Sequence, residues 1–391
     1  MFAKSNFKMF VLLGVFNVIL QISAMPEYHF HNHDHSYGHH HHDFHNHDST
    51  GEDTLVLSHV LFRHGDRTPD SFQELYPNDP YLNETYYPYG LGQLTNAGRV
   101  KEYNIGVSLR TRYSSFLSDV FLTGEVEATT TDYNRTKASL LLVLAGLYPP
   151  PPEQTWDQQL PWQPIPYNYV SRSQDTLMMG VTCPNYLTLY EQYSNTLPMR
   201  NLFKKYRKVF SYISQHSGLN VTRFQDVYNL YFGLSTEQEN NLELPAWTKK
   251  VWPQQIIDIA SREYRVSMGT DDLKRIAAGY LLKKIIDDTT KKINGIEDSK
   301  KIYLYSAHEN NVAELLIILD VFERHIPKYG AHVMVEVHKI EGVYGFKIFY
   351  QNYDFDEPVL LKIPSCEEFC PFEEFLRLFT KYLPRNDLCG N

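Results

Sequence analysis

The chain has 391 residues, enough for one large domain or two moderate ones, and its 42% hydrophobic and 14% aromatic content is that of a globular protein. A formal net charge of −9 argues against a general nucleic-acid or anionic-membrane binder. An anionic substrate would need a local basic pocket.

Residues 1–24 read as a secretory signal. Lys4 and Lys8 make a positive start, Met9 to Leu20 is apolar, and Ile22-Ser23-Ala24 offers a small-residue cleavage site. A membrane anchor is the competing reading, but the apolar core falls short of the ~20 residues needed to span a bilayer. No later stretch reaches that length, so a secreted or secretory-lumen protein without a membrane anchor is expected. In residues 25–52, ten histidines lie between His29 and Asp48 among Asp and Asn, with no apolar periodicity. This segment is expected to be disordered. Tandem neutral imidazoles would chelate zinc, copper or nickel ions; a plain solvated tail is the bland reading. The folded domain is expected over 53–391.

It opens with a strand. The apolar run Leu55 to Phe62 ends abruptly in Arg63-His64-Gly65-Asp66-Arg67-Thr68-Pro69. A strand that delivers charge at its carboxyl end places it where open α/β sheets bind ligands. Two guanidiniums around one imidazole suit a phosphoryl group: the arginines clamp its oxygens, and the imidazole attacks phosphorus. Gly65 lets the backbone approach the anion. Asp66 is a candidate to orient an arginine or the imidazole, with a loop salt bridge as the alternative.

Thr95 then caps a helix-like stretch. Val120-Phe121-Leu122 reads as a second strand. Arg135 to Leu147 reads as an apolar helix, stopped by Tyr148 and Pro149 to Pro152. Its start, Thr130-Thr131-Asp132-Tyr133-Asn134-Arg135-Thr136, puts an arginine at a helix N-terminus. Positive charge is disfavoured there, unless a phosphate sits on the free N–H groups. Residues of about 160–265 are rich in Tyr, Gln, Asn and Pro and read as a smaller helical insertion domain, with amphipathic pieces at Asn201 to Ile213 and Phe224 to Tyr231. Leu273 to Ile286 is a longer amphipathic helix. Ile302 to Tyr305 is a short strand, followed by Ser306-Ala307-His308-Glu309 and an apolar helix over Val312 to Leu319. Val333 to His338 and Tyr344 to Tyr350 form a hairpin around Glu341-Gly342. Glu367 to Leu383 closes as a helix. Alternating strands and helices give an α/β fold, a mainly parallel sheet with helices on both faces.

On these three motifs the chain resembles the histidine acid phosphatases, branch 2 of the histidine phosphatase superfamily, the group of prostatic, lysosomal and insect venom acid phosphatases. The resemblance runs from about Thr54 to Cys389. The family pattern S-T-D-x-x-R-T is matched at Asp132, Arg135 and Thr136 with the same spacing. The resemblance implies a histidine phosphatase-like fold and hydrolysis of small phosphomonoesters through a phosphohistidine on His64. Arg63, Arg67, Arg135 and His308 would hold the phosphoryl oxygens, and Glu309 would protonate the leaving oxygen. No metal or other cofactor is implied, because three arginines supply the positive charge. An acid optimum follows from a carboxyl that must start protonated. Dimers occur in the family, so a homodimer is compatible with the resemblance.

One departure stands out. The family pattern is Ser-Ala-His-Asp, and here the acid is Glu309. The extra methylene moves a carboxyl by up to ~1.5 Å, a misplacement that can cost ~10²-fold in rate. The alternative reading is therefore a secreted phosphatase-like binding protein of weakened turnover.

The four cysteines, Cys183, Cys366, Cys370 and Cys389, read as disulfides in an oxidising compartment, with three pairings open. A local Cys366–Cys370 bridge is feasible, which leaves Cys183 with Cys389; the resemblance implies the same pairing. Sequons stand at Asn83, Asn134 and Asn220, and Asn134 is expected to stay unmodified beside Arg135. His59, His216, His325, His332 and His338 read as satisfied residues rather than ligands.

Overall fold

The computed structural model describes residues 54–70, 74–297, 299–385 and 389. The signal and the histidine-rich segment lie outside the described residues. Strand β1 (Leu55–Arg63) leads into the motif loop. Helix α1 (Asn96–Arg112) is capped by Thr95, whose hydroxyl accepts from the Gly98 N–H. Strand β2 (Val126–Thr130), helix α2 (Asn134–Leu147) and the short β3 (Asn168–Tyr169) follow. The next stretch holds helices α3 (Pro184–Ser194), α4 (Leu197–Lys205), α5 (Arg207–Ser217), α6 (Phe224–Glu239), α7 (Gln254–Ala260) and α8 (Glu263–Ser267). Helices α9 (Asp271–Ala277) and α10 (Gly279–Ile293) return the chain to β4 (Ile302–Ala307) and α11 (Glu309–Ile318). Strands β5 (His332–Ile340), β6 (Val343–Gln351), β7 (Val359–Leu361) and β8 (Cys370–Pro371) precede α12 (Phe372–Phe379).

The strands form one mixed sheet in the order β3-β2-β4-β1-β5-β6-β7, with β8 on β6. Its β3-β2-β4-β1 part is parallel. Strands β5 to β8 add an antiparallel part. Alternation along each strand decides which face a side chain joins. Val60, Phe62, Ile302 and Leu304 pack with Ile105 and Leu109 of α1 and Leu140 and Val143 of α2. Leu61, Tyr303, Tyr305 and Ala307 pack the other way, with Leu273, Leu282, Leu315 and Phe375 from α9 to α12. A third apolar cluster, including Phe210, Ile213, Phe224, Leu230 and Ile256, lies within the helical stretch, joined by Tyr76.

Three expected elements differ. The second strand is Val126–Thr130, not Val120 to Leu122. The Phe121 backbone is held at both polar groups by the Gln154 amide, at 2.8 and 2.9 Å, so it has no ladder to join. The helix expected over Leu273 to Ile286 is two helices, broken at Ala278 (φ −129°, ψ −11°) just before the poor helix former Gly279. The closing helix starts only at Phe372, because the preceding residues form a disulfide loop and pair as β8. The hairpin turns at Glu341 and Gly342, both with positive φ (50° and 83°), as a two-residue turn between twisted strands requires.

Disulfides join Cys183 to Cys389 and Cys366 to Cys370. The first spans a sequence separation of 206, so it removes much freedom from the unfolded chain. Cys389→Ser should lower unfolding free energy by about 2–4 kcal/mol. Denaturant titration measures this, and an unchanged midpoint would refute the tether's contribution.

Candidate active site

Strands β2, β4 and β1 are adjacent and parallel, with Thr130 opposite Ser306 and Arg63 opposite Ala307. Their carboxyl ends therefore meet, and the three motifs meet with them. His64, Arg67, Arg135, His308 and Glu309 line one cleft of about 1030 Å³. Arg63 is buried behind it, 3.8 Å from Glu309.

The loop after β1 lies flat against the first turn of α1. A Cβ on Gly65 would stand 2.5 Å from the Gly98 carbonyl oxygen, and one on Gly98 would stand 2.2 Å from that of Asp66. Two residues without side chains are what permits this approach. The His64 N–H donates to the Ala307 carbonyl at 3.0 Å, which fixes the loop to β4.

Hydrogen bonds assign opposite tautomers to the two imidazoles. His64 Nδ1 lies 2.9 Å from the Gly65 carbonyl. A carbonyl only accepts, so Nδ1 carries the proton and Nε2 keeps its lone pair. His308 is reached by a chain of hydroxyls. The Thr136 hydroxyl must donate, since it meets the carbonyls of Thr131 and Tyr133 at 2.9 and 3.0 Å. It then accepts from the Thr131 hydroxyl at 2.9 Å. With that proton committed, Thr131 Oγ1 accepts from His308 Nε2–H at 3.0 Å. One ring offers a lone pair and the other holds its N–H on Thr131, with centroids 5.5 Å apart. Burial, followed by Arg135, pushes both pKa values well below the ordinary imidazole value, so both rings stay neutral in acid.

Each arginine is anchored and keeps donors in reserve. Arg63 Nη1 donates to the Pro327 carbonyl at 2.7 Å, and its guanidinium lies 3.7 Å over the Tyr329 ring. Arg67 makes a two-pronged pair with Glu74 at 2.8 and 2.5 Å. Arg135 donates to Asp70 at 2.9 Å. Buried N–H groups on all three, among them each Nε, have no hydrogen-bond partner among the described residues. Burial and the neighbouring Arg67 push the Arg135 pKa down, a sign of crowded like charge. An arriving tetrahedral dianion would relieve that crowding and take the open donors.

Glu309 begins α11, with Tyr228 of α6 donating its hydroxyl to Oε1. Asp66 pairs with Lys101 on α1 at 2.7 Å, which settles it as a loop salt bridge. His59 stacks on Tyr303, 4.7 Å between centroids, and does not line the cleft. The sequence reading missed Glu74, Asp70, Thr131 and Tyr228. Asp70 and Glu74 follow the first motif closely enough to have been suspected as arginine partners; Tyr228 carries no local signal.

The cleft's far wall holds two further buried carboxyls, Glu263 and Glu314. Burial pushes both up to about 8, against partial relief from Tyr190 and Asn310 respectively.

The chain matches the family model described as "Histidine phosphatase superfamily (branch 2)" over residues 54–351. It is 37% identical over 335 residues to venom acid phosphatase Acph-1 of Apis mellifera, covering 85% of this chain and 86% of that protein. It is 31% identical over 336 residues to the prostatic acid phosphatase of Rattus norvegicus, covering 84% of this chain and 86% of that one. The fold is shared with the solved phytase of Citrobacter braakii at a TM-score of 0.63 and 17% identity, over 86% of this chain and 99% of that one.

The raised carboxyls fix a sign for stability against pH. Folded Glu263 and Glu314 keep their protons up to about pH 8, whereas the unfolded chain loses them near 4.5. Their contribution is full below pH 4.5 and is lost as pH rises to about 8. Lowered histidines oppose this only below 6.5, where the unfolded chain takes up protons. The melting temperature should therefore fall between about pH 6.5 and 8, and less steeply in Glu263→Gln and Glu314→Gln. Calorimetry across that window checks it; a flat or rising profile would contradict the assignment.

Proposed function

This chain belongs to branch 2 of the histidine phosphatase superfamily, and we propose that it is a secreted acid phosphatase working through a phosphohistidine on His64. The observation that supports this most is the pair of opposed neutral imidazoles set among three buried arginines. His64 Nε2 attacks phosphorus as the bond to the leaving oxygen breaks. Arg63, Arg67 and Arg135 receive the equatorial oxygens, and His308 Nε2–H turns from the Thr131 hydroxyl to one of them as the phosphoryl group binds. Because the transition state is loose, placement and charge neutralisation supply most of the acceleration. Glu309 gives its proton to the leaving oxygen, and the alcohol departs. Water then attacks the phosphohistidine while Glu309 takes a proton back. Phosphate leaves and His64 is again neutral.

The scheme suits acid conditions. Glu309 must begin protonated, whereas His64 must not, and the depressed His64 pKa meets the second need. The substrates are small phosphate monoesters, as the names of the acid phosphatase relatives suggest. Secretion is read from residues 1–24, and among the described residues no helix is long and apolar enough to cross a membrane. Asn83 and Asn220 are exposed and are proposed glycan carriers, whereas the Thr136 hydroxyl of the Asn134 sequon is buried in the His308 chain. The alternative, a phosphate-binding protein of low turnover, rests on Glu309 standing where the family has aspartate.

Hydrolysis of 4-nitrophenyl phosphate by the secreted protein separates the two. Activity should peak in acid and fall at least about 10³-fold in His64→Ala. Vanadate binding without hydrolysis anywhere between about pH 4 and pH 8 would favour the binding protein.

A further inference from the structure

We propose that Tyr228 is the positioning residue for Glu309, and that the two form a matched pair which sets the reach of the acid. This inference rests on the reading of Glu309 as the proton donor. Tyr228 and Glu309 come from elements 81 residues apart and meet by one hydrogen bond, from the phenol to Oε1. The phenol ring is itself held. It packs edge-on against Phe232 at 5.0 Å and Tyr264 at 5.5 Å between centroids. Its hydroxyl therefore has a fixed origin rather than a mobile one.

The two carboxyl oxygens are thereby made unequal. Oε1 is occupied by the phenol. Oε2 faces Arg63 Nε at 3.8 Å, close enough for charge attraction but beyond hydrogen-bond reach. Arg63 cannot swing to close that gap, because the Pro327 carbonyl and the Tyr329 ring fix its guanidinium. Oε2 is thus the oxygen left to carry the transferable proton. Tyr228 does not compete for that role. Burial and then Glu309 raise its pKa well above the ordinary phenol value, so it remains a donor throughout the working range.

The pairing also answers the added methylene. A glutamate has one more rotatable bond than an aspartate, and a loose carboxyl spends time away from the leaving oxygen. The phenol removes that freedom. An aspartate at 309 would be one bond short of the same contact.

The test uses the full chain with Tyr228→Phe, which keeps the ring and its packing, beside Glu309→Gln and the double variant. Substrates are glycerol 2-phosphate, whose alkoxide needs a proton, and 4-nitrophenyl phosphate, whose leaving group needs little. For Tyr228→Phe, kcat on glycerol 2-phosphate should fall by about 10- to 10²-fold. Its KM, inhibition by inorganic phosphate and the nitrophenol burst on the aryl ester, which reports phosphorylation alone, should stay within about three-fold. The double variant should be no slower than Glu309→Gln, because both changes act through one carboxyl. The proposal is overturned if Tyr228→Phe leaves the alkyl ester untouched, slows the aryl burst as much as the alkyl ester, or multiplies the loss in Glu309→Gln. Should Glu309→Gln alone leave the alkyl ester unaffected, the acid reading itself fails, a result distinct from a silent Tyr228.

Discussion

Everything about this site follows from bringing three guanidiniums into one buried place. Arg63, Arg67 and Arg135 are all largely removed from water, at 3%, 3% and 9% exposure. Burying an unpaired charge costs several kcal/mol, so each must be met by an acceptor or left waiting for one. Glu74, Asp70 and the Pro327 carbonyl meet part of the demand. The open N–H groups are the remainder, and an anion is what completes the set. Burial, and then the same cations, depress the two histidines, so the field proposed to recruit a phosphoryl group also helps keep its proposed attacker unprotonated. Binding and activation are one electrostatic arrangement.

The parallel part of the sheet makes that arrangement affordable. Backbone hydrogen bonds between β2, β4 and β1 hold three strand ends in register, so the charges converge without a mobile loop having to carry them. The order is also why the chemistry was legible in the sequence. Arg63 to Arg67, Asp132 to Thr136 and His308-Glu309 are contiguous strings at strand ends, and each reads as charge delivered to one edge. Partners supplied across the fold leave no such string. Tyr228 is one of 29 tyrosines, in an aromatic-rich stretch, and only its hydrogen bond to the first residue of α11 singles it out.

The misread elements share a cause. Val120-Phe121-Leu122 is more apolar than Val126-Glu127-Ala128-Thr129-Thr130, yet the latter is the strand. Its alternating burial and β-branched residues fit a pleated surface, whereas Phe121 spends its apolar area on the Tyr148 ring, 5.5 Å away between centroids. Hydrophobicity alone does not choose the strand: Leu122 of the more apolar run stays 44% exposed. The break at Ala278 is similar, since the apolar period runs through it while the backbone geometry does not.

The cleft has two walls of different origin. The floor that grips phosphorus comes from strand ends, whereas Met179, Val181, Tyr186, Leu187, Tyr190 and Tyr264 come from the helical stretch. Such a division lets descent with modification act on one wall at a time. Replacements along α3 or α8 can reshape that wall without disturbing the residues bound into the sheet. Position 228 is the exception, because it stands on the helical wall yet reaches Glu309. A lineage that altered it would have to revise residue 309 in the same period, so these two sites should drift together or not at all.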